Sequence, residues 1–385
     1  MMNIGFDAKR AAQNRTGLGN YSRFVIRVLS EKFTGNQYHL YTPKPHRMPY
    51  LQEIPTLKHL FLHFPPQGIW SRIRSLWRVW GITKDIQKDG IQIFHGLSNE
   101  LPLNIGTPEQ RKMKAGGKEC KYIVTIHDLI FMRHPEYYSP IDVAIYKWKF
   151  RNAIRQANRI IAISECTRRD IMELGEIDDS RIHVVYQSCD TRFRLQVSPE
   201  QKQDVRARYS LPKRYVLFVG TIEERKNALL AAQALPYLSD EIHLVLVGRQ
   251  TAYAKAIFSF ARQNGLANRI LMLSGVPTSD LYAIYQQTEC FVYPSRYEGF
   301  GIPVIEAIQS RLPVIACTGS CLEEAGGPDN VYVDPDEPQE MAMAIKSITD
   351  NPDAARQIVT RSLDYIRRFE NGNVAQEMLN VYRSL

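Results

Sequence analysis

The sequence has no C-x-x-C pair. Its six cysteines, Cys120, Cys166, Cys189, Cys290, Cys317 and Cys321, are scattered. Cys317 and Cys321 have a loosely metal-like spacing, but no second Cys/His pair completes a site. A disulfide framework and the common zinc patterns are thereby excluded, and reduced thiols are the expectation. Low-complexity tracts and fixed-period repeats are also missing, which excludes a disordered chain and a solenoid. No apolar run approaches the length that spans a bilayer. The start, MMNIGFDAKR, is strand-like and carries no signal-peptide h-region. From these we expect a cytoplasmic protein. Helix-turn-helix, RNP-like and zinc patterns are absent too, and the basic residues are dispersed, so nucleic acid is not an expected partner.

What is present is ordinary in amount and regular in order. The chain has 385 residues, 44% hydrophobic and 23% charged, with a formal net charge of +9. The length favours two domains, and the charge favours an anionic ligand or surface. NIGFD reads as a buried strand, followed by the polar loop KRAAQNRTGLGN and by NYSRFVIRVLSEKF. In that last stretch Tyr21, Phe24, Val25, Val28 and Leu29 have helical spacing, and Asn20 is placed to cap it. YHLYT, IQIFHG, YIVTIHD, RIIAIS and HVVYQ read as further strands. After a polar stretch from Thr191 a second alternation begins with YVLFVG and HLVLVG and continues through RILMLSG, CFVYPS, LPVIACT and NVYVDP. The expectation is an α/β protein of two Rossmann-like domains facing each other across a cleft. The N-terminal domain is placed at 1–192 and the C-terminal one at 193–365. A final helix, 366–385, is expected to pack back on the first domain.

In such sheets ligands bind beyond the carboxyl ends of the strands, so the loops after strands matter most. TGLGNYSR offers Gly17 and Gly19 before a helix, where free N–H groups and the helix dipole suit a phosphate. Ser22 stands where a dinucleotide fingerprint needs its third glycine, and no acid follows the second strand, so a hydride-transfer cofactor is disfavoured. GTIEERKN places Arg225 and Lys226 where they could clamp a diphosphate. On residue type alone, a solvated charged turn is the commoner outcome. IHDLIF places His127, and FHGLSN places His95, where a ring can bond a ligand or be satisfied locally by backbone. In SRYEGFGIPVIEAIQS, Gly299, Gly301 and Pro303 break any continuous helix. Glu298 then falls in a loop and Glu306 near a helix start. Backbone amides flanked by two hydroxyl-binding acids describe a nucleotide-sugar site.

With these motifs in register, TGLGNYSR, TIHDLIF, IIAISECTRRDI, VGTIEERKN and the E-x7-E of PSRYEGFGIPVIEAI, the chain resembles glycosyltransferase family 4. These are retaining enzymes of GT-B architecture, and the likeness runs over nearly the whole chain. The resemblance implies a hexosyltransferase using a GDP- or UDP-linked sugar, GDP-mannose among the candidates. The acceptor would be a glycan or lipid-linked sugar of surface-polysaccharide biosynthesis. It implies that Glu306 binds the ribose and that Glu298 contacts the transferred sugar, with the backbone of Gly299, Phe300 and Gly301 around the sugar and phosphates. Arg225 and Lys226 would neutralise the diphosphate, Gly17 and Gly19 would lie near it, and His127 would bond the donor sugar and assist the reaction. No cofactor and no metal are implied. Thr221 departs from the arginine or serine that many relatives carry, as does Glu323-Glu324 from a Pro-Glu pair. A nucleotide-sugar epimerase of the same fold is the other enzyme reading, and it does not use this E-x7-E arrangement. A basic nucleic-acid-binding protein is the alternative of another class.

One segment stands apart. GIWSRIRSLWRVWGITKDIQKDG, residues 68–90, holds three of the four tryptophans, with Arg72, Arg74, Arg78, Lys84 and Lys88. A basic amphipathic helix of this kind can lie on an anionic membrane, here the inner membrane face. Packing of its tryptophans against the first sheet is the commoner alternative.

Overall fold

The computed structural model describes residues 1–45, 47–114 and 119–385. They form two compact units, one of residues 1–188 with 370–385 and the other of residues 189–369. The first holds β1 (Asn3–Asp7), β2 (Gln37–Tyr41), β3 (Leu60–His63), β4 (Ile93–Gly96), β5 (Lys121–Ile126), β6 (Arg159–Ala162) and β7 (Ile182–Val184). Their order is β3-β2-β1-β4-β5-β6-β7, and every pairing is parallel. The second unit holds β8 (Arg214–Val219), β9 (Ile242–Val247), β10 (Ile270–Leu273), β11 (Cys290–Tyr293), β12 (Val314–Cys317) and β13 (Val331–Val333). They run β10-β9-β8-β11-β12-β13, again all parallel. The apolar runs explain this: helices cover both faces of a parallel sheet, so its strands read as continuous Val, Ile and Leu rather than as alternation. Each sheet therefore has a doubly wound order, which reverses between β1 and β4 in the first and between β8 and β11 in the second.

The last helix, Asn371–Arg383, belongs to the first unit and packs on helix Gly17–Lys32. Its Tyr382 is fully buried, and the hydroxyl meets His95 Nδ1 at 2.7 Å.

Two local expectations are corrected. KRAAQ is a short helix, Lys9–Gln13, rather than loop. The next helix begins at Gly17 with Thr16 as its N-cap, so Asn20 lies inside it. Asn14 sets the earlier start: its Oδ1 accepts from the Thr16 amide at 2.7 Å and the Thr16 hydroxyl at 2.6 Å. The buried Arg23 then draws the loop onto the helix by donating to the carbonyls of Ala11 (3.1 Å) and Asn14 (2.8 Å). Helix and loop touch at Gly19, where a Cβ would stand 1.8 Å from the Asn14 carbonyl oxygen. We expect Gly19→Ala to cost about 1–3 kcal/mol, measured by denaturant unfolding. A loss below about 0.5 kcal/mol would contradict that contact.

Segment 68–90 is broken rather than one helix. It runs as Ile69–Arg72, Arg74–Leu76, a π turn at Trp77–Gly81, and Ile82–Lys88. Trp77 is fully buried, with its indole N–H on Asp85 at 2.6 Å. Arg78 also turns inward, between Asp7 and Glu100, 2.6 Å from each. Ile69, Ile73, Leu76 and Trp80 stay exposed. The segment is thus divided: Trp77, Arg78, Ile82 and Ile86 serve the interior, Trp70 packs against it, and Ile69, Ile73, Leu76 and Trp80 face outward.

Candidate functional site

In the second unit the functional candidates gather at the carboxyl ends of β8 and β11, the two strands between which the order reverses. This is where open α/β sheets bind ligands. After β8 the chain makes a short 3-10 turn, Glu224–Lys226, ended by Asn227 at φ 53°. After β11 it runs through Pro294 to Gly301 and enters helix Ile302–Gln309. The two cations of the charged turn are withdrawn from solvent, contrary to the expectation from residue type, while Glu224 stays exposed. The side chains of Arg225 and Lys226 are only 15% and 14% exposed, and both pair with Glu298.

The Glu298 carboxylate is the hub. Its Oε2 stands 3.0 Å from Arg225 Nη1. Its Oε1 accepts from the Lys226 ammonium, from Ser295 Oγ at 2.7 Å and from the Tyr293 hydroxyl at 3.2 Å. Arg225 also donates to the Tyr297 carbonyl at 2.5 Å and pairs with Glu223 at 2.9 Å. Burial opposes ionisation of Glu298, but the adjacent Lys226 and Arg225 charges overcome it and hold the carboxyl at about 2. Gly301 sits at φ 127°, and a Cβ there would lie 3.0 Å from Leu322 Cδ2. Only glycine suits that close approach. The thiol of Cys321 donates to the Phe300 carbonyl at 2.6 Å and the Glu298 carbonyl at 3.1 Å, pinning the Glu298-Gly299-Phe300 loop from behind. Ser295 lies within the motif but has no role legible from sequence, and Cys321 stands out there only for its spacing from Cys317.

Glu306 lies on the second turn of its helix in a different environment. The one hydrogen bond to its carboxylate among the described residues comes from the Tyr285 hydroxyl at 3.3 Å. Burial raises its pKa to about 7; the Tyr285 bond opposes the rise and the Asp190 charge adds to it. The two acids of the motif are thus opposite in state, one locked as a carboxylate and one poised to titrate.

In the first unit, His127 follows β5. Its amide donates to Asn99 Oδ1 at 2.9 Å, and Nε2 donates to the Leu97 carbonyl at 2.9 Å. The ring meets Tyr21 edge-on at 4.6 Å. Burial lowers its pKa to about 4, so the imidazole is neutral and Nδ1 is left as an acceptor. His95 has no such capacity. It is wholly buried between the hydroxyls of Tyr382 and Thr125, at 2.7 and 2.8 Å, and its pKa falls to about 3, chiefly through burial. Gly17 opens the 16-residue helix Gly17–Lys32, and nothing lies within 4 Å of where its Cβ would be. Among the described residues, no group of three or more His, Cys, Asp or Glu is placed to hold a metal. No described helix is long and apolar enough to cross a membrane.

Comparison with known proteins bears on both units. Residues 16–193 match the Glycosyltransferase Family 4 domain and residues 200–363 the glycosyl transferases group 1 domain. The chain is 28% identical over 300 residues to O-antigen chain mannosyltransferase B of Escherichia coli, covering 76% of this chain and 74% of that one. To O-antigen chain mannosyltransferase RfbU of Salmonella typhimurium it is 26% identical over 257 residues, covering 67% and 68%. In fold it resembles Anabaena HepE, solved in complex with UDP and glucose, with a TM-score of 0.75 and 17% identity over the full length of both chains.

Proposed function

The chain belongs to glycosyltransferase family 4, and on that premise we propose that it transfers a hexose, mannose or glucose, with retention from a nucleoside-diphosphate sugar. The acceptor is a glycan or lipid-linked sugar in surface-polysaccharide assembly. The observation that carries this reading is the burial of Arg225 and Lys226 around Glu298 at the strand reversal of the second sheet. Two cations fixed in a poorly solvated site suit a diphosphate leaving group, whose charge grows as the glycosidic bond breaks. The curated relatives favour mannose, and the HepE complex leaves UDP open beside GDP.

In this reading Arg225 and Lys226 take the diphosphate, and Gly17 and Gly19 lie near it. Gly17 offers an amide of the helix N-terminus, while the Gly19 amide donates to the Thr16 carbonyl at 2.9 Å. Glu306 accepts the two ribose hydroxyls. Glu298 accepts from the transferred sugar, and the backbone of Gly299, Phe300 and Gly301 lies along the sugar and phosphates. His127 Nδ1 accepts a hydroxyl of the donor sugar and steadies it. The acceptor oxygen bonds to the anomeric carbon on the face the diphosphate leaves, and its proton passes to the departing phosphate oxygen. No enzymic nucleophile takes part, and the two cations supply the positive charge without a metal.

Incubation with GDP-mannose, UDP-glucose and UDP-galactose tests the proposal. We expect one donor to bind and to be hydrolysed slowly without acceptor, and Glu306→Ala to weaken it about 100-fold. If no donor binds, the reading fails.

A peripheral contact with anionic membrane is part of the proposal, now assigned to the exposed Ile69, Ile73, Leu76 and Trp80 with Arg72 and Arg74. Arg78 is excluded because it is an interior ion pair. Vesicles containing anionic lipid are expected to carry the protein in flotation, and Leu76→Ser with Trp80→Ser to release it. Persistent flotation of that double variant would remove the assignment.

A further inference from the structure

The first sheet has its own reversal point, between β1 and β4, and the donor reading leaves it largely unused. Asp7 closes β1, and Glu100 lies four residues beyond the end of β4. Together with Arg78, Lys149 and Trp148 they line a recess of about 90 Å³. Arg78 bridges the two acids at 2.6 Å to each, its Nε adds a 2.8 Å bond to Asp7, and Lys149 meets Glu100 at 2.9 Å. The network is rigid, because Arg78 and Asp7 are almost wholly buried, while Trp148 stands at the rim 55% exposed.

From this geometry we propose that the recess is an acceptor subsite for a neutral hexose, whose hydroxyls bond Glu100, held in place through Arg78 by Asp7, and whose ring lies on the Trp148 indole. The inference rests on the glycosyltransferase reading and names where its second substrate sits. Three features support it. Open α/β sheets bind ligands at such reversals. The lining carries two carboxylates against two cations, a balance that favours an uncharged polyhydroxy ligand over an anion or a cation. Glu100 keeps acceptor capacity beyond its two ion pairs, Asp7 is filled by Arg78 and by the Lys9 amide at 3.2 Å and so fixes Arg78, and a half-open indole beside fixed polar groups is the mixture that ligand sites use. The volume restricts the fit further. A space holding only a few waters admits one hydroxyl-bearing edge of a hexose and leaves the ring outside, against Trp148.

Saturation-transfer NMR with the methyl α-glycosides of mannose, glucose, galactose and N-acetylglucosamine tests this on the full chain. At least one glycoside is expected to show transfer from the wild type. The signal should fall at least fivefold in Trp148→Ala and in Glu100→Gln, and return in Trp148→Phe. No signal from any of the four with the wild type, or an undiminished signal in Trp148→Ala, overturns the subsite. Calorimetry with GDP and UDP on the same proteins separates the two proposals. Nucleotide affinity unchanged in Trp148→Ala shows the variant folded and the donor side intact, whereas no nucleotide binding by the wild type refutes the donor reading itself.

Discussion

Lys226→Ala is expected to lower the turnover of sugar transfer about 10³-fold, with a smaller effect on donor affinity. The reason lies in when the ammonium matters most. In the free protein it is bonded to Glu298 and to the Tyr293 hydroxyl, the latter at 2.6 Å. As the bond to the sugar breaks, a further negative charge collects on the diphosphate, and a fixed cation acts on that charge more than on the ground state. Arg225→Ala should act in the same direction. Both variants also break a buried ion pair, a loss worth about 3–5 kcal/mol, so turnover must be compared at a temperature where each is folded. A nucleoside diphosphate should raise the melting temperature of the wild type more than that of either variant. Turnover within tenfold of wild type in Lys226→Ala would show that the pair is a structural clamp only.

Donor affinity is expected to depend on pH through Glu306. Its carboxyl titrates near 7 in the free protein, because burial disfavours the charge and Asp190 adds to the effect. Two ribose hydroxyls donate to this carboxyl, so they bind its ionised form. Affinity should therefore fall as pH drops below 7, approaching tenfold per pH unit, and level off above about 8. Glu306→Gln should flatten that profile.

The same group has an opposite effect on the stability of the free protein. A carboxyl with a folded-state pKa above its unfolded value keeps its proton longer when folded. Its contribution is favourable at low pH and is lost as pH rises from about 4.5 to 7. Glu298, held at about 2, works the other way: its contribution is present above 4.5 and lost as pH falls through its folded pKa. Calorimetric melts of wild type and Glu306→Gln between pH 5 and 8 should converge at the acid end. Donor affinity that does not vary from pH 6 to 8 would rule out ionised Glu306 as the ribose acceptor.

Most of the fold was legible because parallel strands covered on both faces leave uninterrupted apolar runs, and all six strands of the second sheet were read that way. The helix start at Gly17 was not legible. It is set by Asn14 turning onto Thr16 and by Arg23 reaching back to two carbonyls, contacts without a periodic signature. The breaks within residues 68–90 were hidden for a similar reason. Apolar and basic spacing alike suited one amphipathic helix, and only the partners Asp7, Glu100 and Asp85 draw Arg78 and Trp77 inward.

The sequence by itself determined the class of the molecule and the loops in which chemistry had to lie. Glycine, proline and acid spacing depend on local backbone rules, so Glu298 could be assigned to a loop and Glu306 to a helix without a structure. Which charges meet, and what state they hold, only the tertiary structure decided. Arg225 and Lys226 lie about seventy residues from Glu298 in the chain, and no local rule reports such a contact. Nor does residue type separate His95 from His127. Burial removes the charge from both rings, but the hydroxyls of Tyr382 and Thr125 engage both nitrogens of His95, whereas the Leu97 carbonyl engages only Nε2 of His127.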